Sequence, residues 1–474
     1  MPVLRHLAGA FTALAFLAPA TPLFAMTLEE AWQYGLSHSE QVSLSDKSLD
    51  IAKAQLGIAK SARLPSVSLQ AFDVVLDHPL EVKPNLPDQL SVDQIGVGPI
   101  GPIGPVNIPL PFPVNVPVPD DLKSFKLGSQ NFYQAGLRAT MPIYTGGQLS
   151  NFVDAAKARV EATAWQQQQT LQQLMLNIAN AYVGVLRARQ AVIATDQQVA
   201  TLQQHVNDVQ NLYDQQLVDR GDLLSVQSTM AQAEQRRLQA HNAVELASSL
   251  FNRLLNRPLA TKVDLADLQA PNQLPDVDQL ISQAQSERSE IKAVQAQIQS
   301  LEHVVEAVRG RRMPQVGLVA GYNYVGLDAV KQKGLGYGGV SLSWNIFDFG
   351  GTSNQVRVAL GQLGTAKDQF ALAKEGIALQ VRQAWLDLQE SKNRIDVAKR
   401  GLEYAEKELS DARDRYENNL APNSEVLDAE ARRTGNYTLY YNAIYDAVLS
   451  ELRLRSVAGG LRPETMLAGH DKES

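Results

Sequence analysis

The stretch that decides the fold is LQQLMLNIANAYVGVLRARQAVIATDQQVATLQQHVNDVQNLY (Leu171–Tyr213). Its positions 171, 174, 178, 181, 185, 188, 192, 195, 199, 202, 206, 209 and 213 hold Leu, Leu, Ile, Ala, Val, Ala, Val, Thr, Val, Leu, Val, Val and Tyr. Steps of three and four alternate over about six heptads, which is the seam of a coiled coil. A second series at 377, 381, 384, 388, 391, 395, 398, 402, 405, 409, 412 and 416 reads Ile, Val, Ala, Leu, Ser, Ile, Ala, Leu, Ala, Leu, Ala and Tyr. Each of its positions is one of the first series plus 203. Two seams in one register mean a duplicated unit.

The duplication extends outward from the seams. GLRATMPIYTGG (136–147) resembles GVSLSWNIFDFGG (339–351), with one inserted residue expected near Phe349. Tyr213–Leu224 lies over Tyr416–Leu427 at the same offset of 203, and Thr27–Pro65 lies over Asp276–Pro314 at an offset of 249. The difference is extra sequence in the first half. Between Asp77 and Pro119 stand eleven of the chain's 22 prolines, so this insert reads as a long extended loop of polyproline character. It contains a formal GxGxxG, Gly96–Gly101, but proline on every side denies it the strand and helix that a dinucleotide site needs.

From Gly147 to Tyr213 no proline interrupts the helical pattern. Sixty-odd residues at about 1.5 Å each give a helix of roughly 100 Å. A second helical stretch follows each turn, Asp222–Asn256 and Ser424–Val457, so each half carries a long antiparallel hairpin. The strand period appears only near the junctions. Val67, Leu69 and Ala71 alternate with polar neighbours, as do Leu137, Ala139, Met141 and Ile143. Val316, Leu318, Ala320 and Tyr322 form a third run, and Val340, Leu342, Trp344 and Ile346 a fourth. Strands of about ten residues have the length of a transmembrane β-strand, although alternation alone also suits small soluble hairpins.

Composition removes other classes. The 474 residues include no cysteine, hence no disulfide framework, thiolate metal site, thiol nucleophile or lipidated cysteine. A net charge of −7 argues against a nucleic-acid partner. Beyond the N-terminus no apolar run approaches the ~20 residues of a membrane helix. Residues 1–25 have a basic front, an apolar stretch and small residues before Ala20 or Ala25, the layout of a secretory signal peptide. The expected division is a signal peptide (1–25), a first repeat (26–260), a second repeat (261–460) and a flexible tail (461–474). The first repeat has strands about 65–74 and 135–144, a helical hairpin about 148–256 and the Pro-rich insert 77–130. The second has strands about 315–324 and 338–347 and a hairpin about 352–457.

Four strands cannot close a membrane barrel, since the smallest single-chain barrels use about eight. Open edges cannot face lipid, where each unpaired backbone group costs several kcal/mol. A membrane-spanning sheet of this kind must be shared between chains. The layout resembles the TolC-type outer-membrane efflux family over roughly residues 27–460. The resemblance rests on TLEEAWQYGLSHSEQV (Thr27–Val42), the Arg-x-Pro leads at Arg63-Leu64-Pro65 and Arg312-Met313-Pro314, the turns PIYTGG and IFDFGG, and SEVLDAE (Ser424–Glu430). It implies a mainly α fold with a small β part: a homotrimer, a twelve-stranded barrel in outer-membrane lipid and a periplasmic α-helical tunnel. It also implies a periplasmic adaptor and an inner-membrane transporter as partners, with no cofactor.

The resemblance further implies a constriction at the hairpin tips. It places an acidic ring on Glu425 and Asp428, a tyrosine on Tyr416 and an acidic partner on Asp222. The family's arginine position is Ala421 here, leaving Arg220 or Arg415 to substitute. The family's Gly-Leu tip, where the adaptor docks, becomes Gln216-Leu217 and Asn419-Leu420. Glu425 and Asp428 share one helical face, suiting either a cation-attracting constriction or a solvated acidic helix start.

Enzyme chemistry finds no foothold. The seven histidines are scattered without metal-ligand spacing, and no GxSxG or P-loop is present. His205 and His303 are expected on solvated helix surfaces, and Tyr182 and Trp385, equivalent positions, in packing. The expected function is a passive exit duct for efflux or type I secretion of small molecules or proteins. The competing reading is a structural or adhesive trimeric coiled-coil surface protein.

Overall fold

The computed structural model describes residues 25–78, 81–97, 106–120, 125–126, 130–271, 273–326, 333–418 and 420–461. The expected signal peptide, all but Ala25, lies outside these residues, as do most of the tail and parts of the insert. Packing divides the chain into two units, each drawing on both repeats: residues 1–50, 161–296 and 367–474, and residues 51–160 and 297–366.

The helices reproduce the duplication. α1 (Leu28–His38) and α2 (Glu40–Ser61) precede the first sheet strands; α3 (Gln148–Asp214) and α4 (Arg220–Leu254) follow them. α5 (Val277–Glu287), α6 (Ser289–Arg309), α7 (Gly351–Glu417) and α8 (Asn423–Val457) repeat that order. α3 and α7 are each 67 residues long, and α4 and α8 each 35. The starts are locally encoded. Thr27 and Glu30 form a reciprocal capping box on α1, and the Asp276 carboxylate accepts from the Gln279 N–H at 2.9 Å on α5.

In the first unit the predicted seams are interior: no position of either is exposed. The largest cluster gathers Trp32, Leu174, Met175, Ile178, Tyr182, Phe251, Leu255, Tyr445 and Leu461. Each such side chain contributes about 1.5–3 kcal/mol by leaving water. The two largest side chains of this core, Trp32 and Tyr182, place their polar atoms on backbone carbonyls. The Trp32 indole donates to the Met175 carbonyl at 2.7 Å, and the Tyr182 hydroxyl donates to the carbonyls of Met26 and Ala266 at 2.8 and 2.6 Å. Trp385, the equivalent of Tyr182, donates to the Pro275 carbonyl at 2.9 Å. Both residues anchor connecting segments.

In the second unit β1 (Ser66–Val75), β6 (Asn131–Tyr144), β7 (Gln315–Gly326) and β8 (Gly334–Ser343) form one antiparallel sheet in the order β1-β6-β7-β8. The register sorts its faces. Leu69, Leu137 and Tyr322 align across three strands, as do Met141, Leu318 and Val340 across another three, while Ser68, Arg138 and Gly321 occupy the opposite face. Three details depart from the sequence reading. A bulge between Pro142 and Tyr144 sets Tyr144, not Ile143, opposite Val316. β8 begins at Gly334 and ends at Ser343, so Trp344 and Ile346 lie beyond the ladder; the Trp344 indole instead donates to the Arg312 carbonyl at 3.0 Å. No residue is inserted near Phe349, because α3 and α7 begin 203 residues apart; Phe349 itself takes the left-handed backbone (φ 50°) that Gly146 takes (φ 62°) in the first half.

The Pro-rich insert is not merely an extended loop. Its described residues form two paired ribbons: β2 (Glu81–Val82) with β5 (Phe125–Lys126), and β3 (Gln89–Val97) with β4 (Val106–Pro117).

Candidate functional site

The two helical turns of the first unit are built alike. α3 closes with the Leu217 N–H donating to the Leu212 carbonyl at 2.9 Å, five residues back. The Leu420 N–H donates to the Arg415 carbonyl at 2.7 Å in the same spacing after α7. This six-to-one bond is the Schellman helix ending, which needs a left-handed residue just before its donor. Gln216 supplies it with φ 62°, so the tip keeps this geometry without the family's glycine. Leu217 and Leu420 are both left facing solvent.

Beneath the turns, Val209, Leu223, Val226, Leu409, Ala412, Tyr416, Val426 and Ala429 form a small core. Tyr416 is buried there, and its ring meets His205 edge-on at 5.1 Å. His205 corrects the surface expectation: it is 5% exposed, with Nε2 lying 2.7 Å from the Asn423 amide oxygen. The Asn423 amide nitrogen donates to the Asp222 carbonyl at 3.2 Å, which leaves its oxygen to accept from His205. In this arrangement Nε2 carries a proton and donates it to Asn423. Burial, the largest cause, lowers the His205 pKa, against the opposing Asn423 hydrogen bond. This network joins α3, α4 and α8 inside one chain, with Tyr416 of α7 packed on it. The Asp219 carboxylate caps α4 by accepting from the Asp222 N–H at 3.0 Å.

The predicted acidic pair divides. Glu425 accepts from the Arg415 guanidinium, an ion pair across the α7–α8 turn. Of the two arginines proposed to replace the family's missing one, Arg415 is thus the one joined to Glu425. Asp428 is exposed. Arg432 makes two bonds to Glu408, at 3.1 and 2.8 Å.

One group the sequence reading missed lies a turn further along α8. Glu430 is 2% exposed; Thr434 donates to its Oε1 at 3.2 Å, while Arg413 stands 4.0 Å from Oε2. Burial outweighs the Thr434 hydrogen bond and the charges of Arg433 and Arg413, and pushes its pKa up to about 7. Sequence spacing could have flagged it, since Glu430 follows Val426 at one helical turn. Among the described residues, no group of three or more acidic or histidine side chains could hold a metal. No described helix is long and apolar enough to cross a membrane.

The sequence pattern of the outer membrane efflux protein family matches residues 120–257 and 280–460. The chain belongs to that family. Its function is efflux through the outer membrane, as an exit duct. The outer membrane efflux protein BepC of Brucella suis is 21% identical over 337 residues, covering 70% of this chain and 73% of BepC. The outer membrane protein TolC of Vibrio cholerae is 24% identical over 211 residues, 44% of this chain and 46% of TolC. The Campylobacter jejuni CmeC outer membrane channel shares the fold with a TM-score of 0.72 at 14% identity, over 99% of this chain and 98% of CmeC.

Proposed function

We propose that three copies of the chain close a twelve-stranded barrel and act as a passive duct, from which small molecules or proteins leave the periplasmic side. A periplasmic adaptor and an inner-membrane transporter supply cargo and energy. The observation that carries this reading is the sheet: four antiparallel strands with sorted faces and open edges at β1 and β8. Such edges are untenable in hydrocarbon unless β1 of one copy pairs with β8 of the next. The secretory layout of residues 1–25 supports export to that membrane.

In this reading Glu425, Asp428, Tyr416 and Asp222 belong to the periplasmic constriction, and Leu217 and Leu420 to the adaptor-docking tips. The solvent-facing leucines and the Arg415–Glu425 pair support it.

The native absence of cysteine makes the test direct. Ser68→Cys is combined in turn with Gly339→Cys, Ser341→Cys and Ser343→Cys, all on the polar face of the two edge strands. Oxidation of outer membranes is expected to yield a covalent trimer from at least one pair. Monomer alone from every pair overturns the shared barrel.

A further inference from the structure

Each half of the chain enters the sheet by one lead and leaves it by one turn. The leads are Ser61–Pro65 before β1 and Gly310–Pro314 before β7, equivalent at the offset of 249. The turns are Tyr144–Gly147 before α3 and Phe347–Gly350 before α7, equivalent at the offset of 203. Within the chain β6 pairs with β7, and the first turn packs on the lead to β7. A Cβ on Gly146 would collide with the Met313 Cβ and the Gly310 carbonyl oxygen, and one on Gly310 with the Gly146 carbonyl oxygen. Gly310 is buried in this contact.

The other turn and the other lead stand at the two edges of the sheet, after β8 and before β1. Both are open: Phe349 is 90% exposed and Leu64 60%, and Ser61, the equivalent of Gly310, is exposed as well. The second turn is nevertheless firmly held. The Asp348 carboxylate accepts from the N–H groups of Gly350 and Thr352 at 3.1 and 2.6 Å, much as the Thr145 hydroxyl accepts from the Leu149 N–H at 3.3 Å. Phe347 and Phe349 flank Asp348 with their rings edge-on at 4.6 Å. Phe349 has φ 50°, where its equivalent, Gly146, carries no Cβ penalty. A bulky residue in that region is strained, and a ring left in water gains nothing to offset the strain.

We infer that Phe349 of each copy packs on Leu64 of the next, at the junction of sheet and helices, and seals the three seams between copies. The inference rests on the trimeric reading, and the chain's own repeat is its template. When β8 of one copy pairs with β1 of the next, as β6 pairs with β7, the open turn meets the open lead. Phe349 then stands toward Leu64 as Gly146 stands toward Met313. Phe349 and Ser61 both carry the Cβ that the Gly146–Gly310 contact excludes. Neighbouring copies are therefore held farther apart than neighbouring repeats, and the ring fills the difference.

Leu64→Cys combined with Phe349→Cys in one full-length chain, oxidised in outer membranes, tests the contact. The two edges lie three strand spacings apart, about 14 Å, beyond the roughly 7 Å between Cα atoms that a disulfide spans, so a link must join two copies. The double variant is expected to link on the order of tenfold faster than either single variant. No excess over the single variants, while the β1–β8 cysteine pairs still give trimers, would overturn the seam contact and spare the trimer. Failure of both sets would remove the two together. Phe349→Gly suits the backbone, and its detergent-solubilised trimer is expected to dissociate at a lower temperature than the native one. An equal or higher temperature would overturn the contact. Quenching by lipid-phase spin labels of a fluorophore on the thiol of Phe349→Cys would also overturn it, in favour of lipid against the ring.

Discussion

His205 and Asn423, 218 residues apart in sequence, share a buried 2.7 Å hydrogen bond that ties α3 to the start of α8. Through Asn423 the bond reaches the Asp222 carbonyl at the start of α4. His205→Ala leaves the Asn423 oxygen buried without its donor, which costs about 1–3 kcal/mol. The expected result is a lower thermal midpoint and faster amide exchange at the first turns of α4 and α8. Unchanged exchange at those turns would show that the bond does not hold them.

The same histidine makes the turns acid-sensitive. Its folded pKa is lowered by burial, so the unfolded chain binds the proton more readily. Its contribution is present above the ordinary histidine value of about 6.5 and is lost as pH falls through the lower folded value. Exchange at the α4 and α8 starts should accelerate on acidification, an acceleration that His205→Ala abolishes.

Glu430 has the opposite sign. Its folded pKa, about 7, is raised above the ordinary 4.5. Its contribution is therefore complete below 4.5 and lost as pH rises through about 7, a swing of about 3 kcal/mol at most. Glu430→Gln keeps the shape without the proton. Relative to this variant, the native protein should lose thermal stability between pH 5 and pH 8. Parallel melting curves across that range would contradict the raised pKa.

Arg415 and Glu425 give a test of charge at the constriction. Glu425→Ala with Asp428→Ala is expected to weaken cation preference in planar bilayers, because a ring of carboxylates concentrates cations. Arg415→Ala should do the reverse, since it releases the Glu425 charge. The pair is half exposed, so neither change should cost more than about 1 kcal/mol of stability. Selectivity unaffected by all three substitutions would remove these residues from the constriction.

Gln216 adopts φ 62° at the first tip, where glycine carries no Cβ penalty. Gln216→Gly is expected to stabilise the turn by up to about 1 kcal/mol, read as a higher thermal midpoint. A lower midpoint would mean that the glutamine side chain contributes more than its backbone costs.

The sequence made the seams legible because one apolar stripe per helix repeats over many turns. It hid His205 because α3 packs on more than one neighbour. A second stripe beside the seam, at Met175, Ala179, Tyr182 and Leu186 and onward to Gln198 and His205, is also buried. Polar residues in that stripe disguise it as surface. The paired insert was obscured by its prolines, although Phe112, Val114 and Val116 alternate with Pro113, Asn115 and Pro117 in the strand period. Strand ends were misplaced where a side chain leaves the ladder: Trp344 keeps the alternation but bonds to Arg312. The turn at Phe349 looked longer than its counterpart because a left-handed phenylalanine is not an expected stand-in for glycine.

Single-channel recording of the purified full-length protein in planar bilayers decides whether this chain forms a conducting duct. Stable conductance steps that favour cations at low salt are expected. Folded trimers that insert and pass no current would contradict the duct.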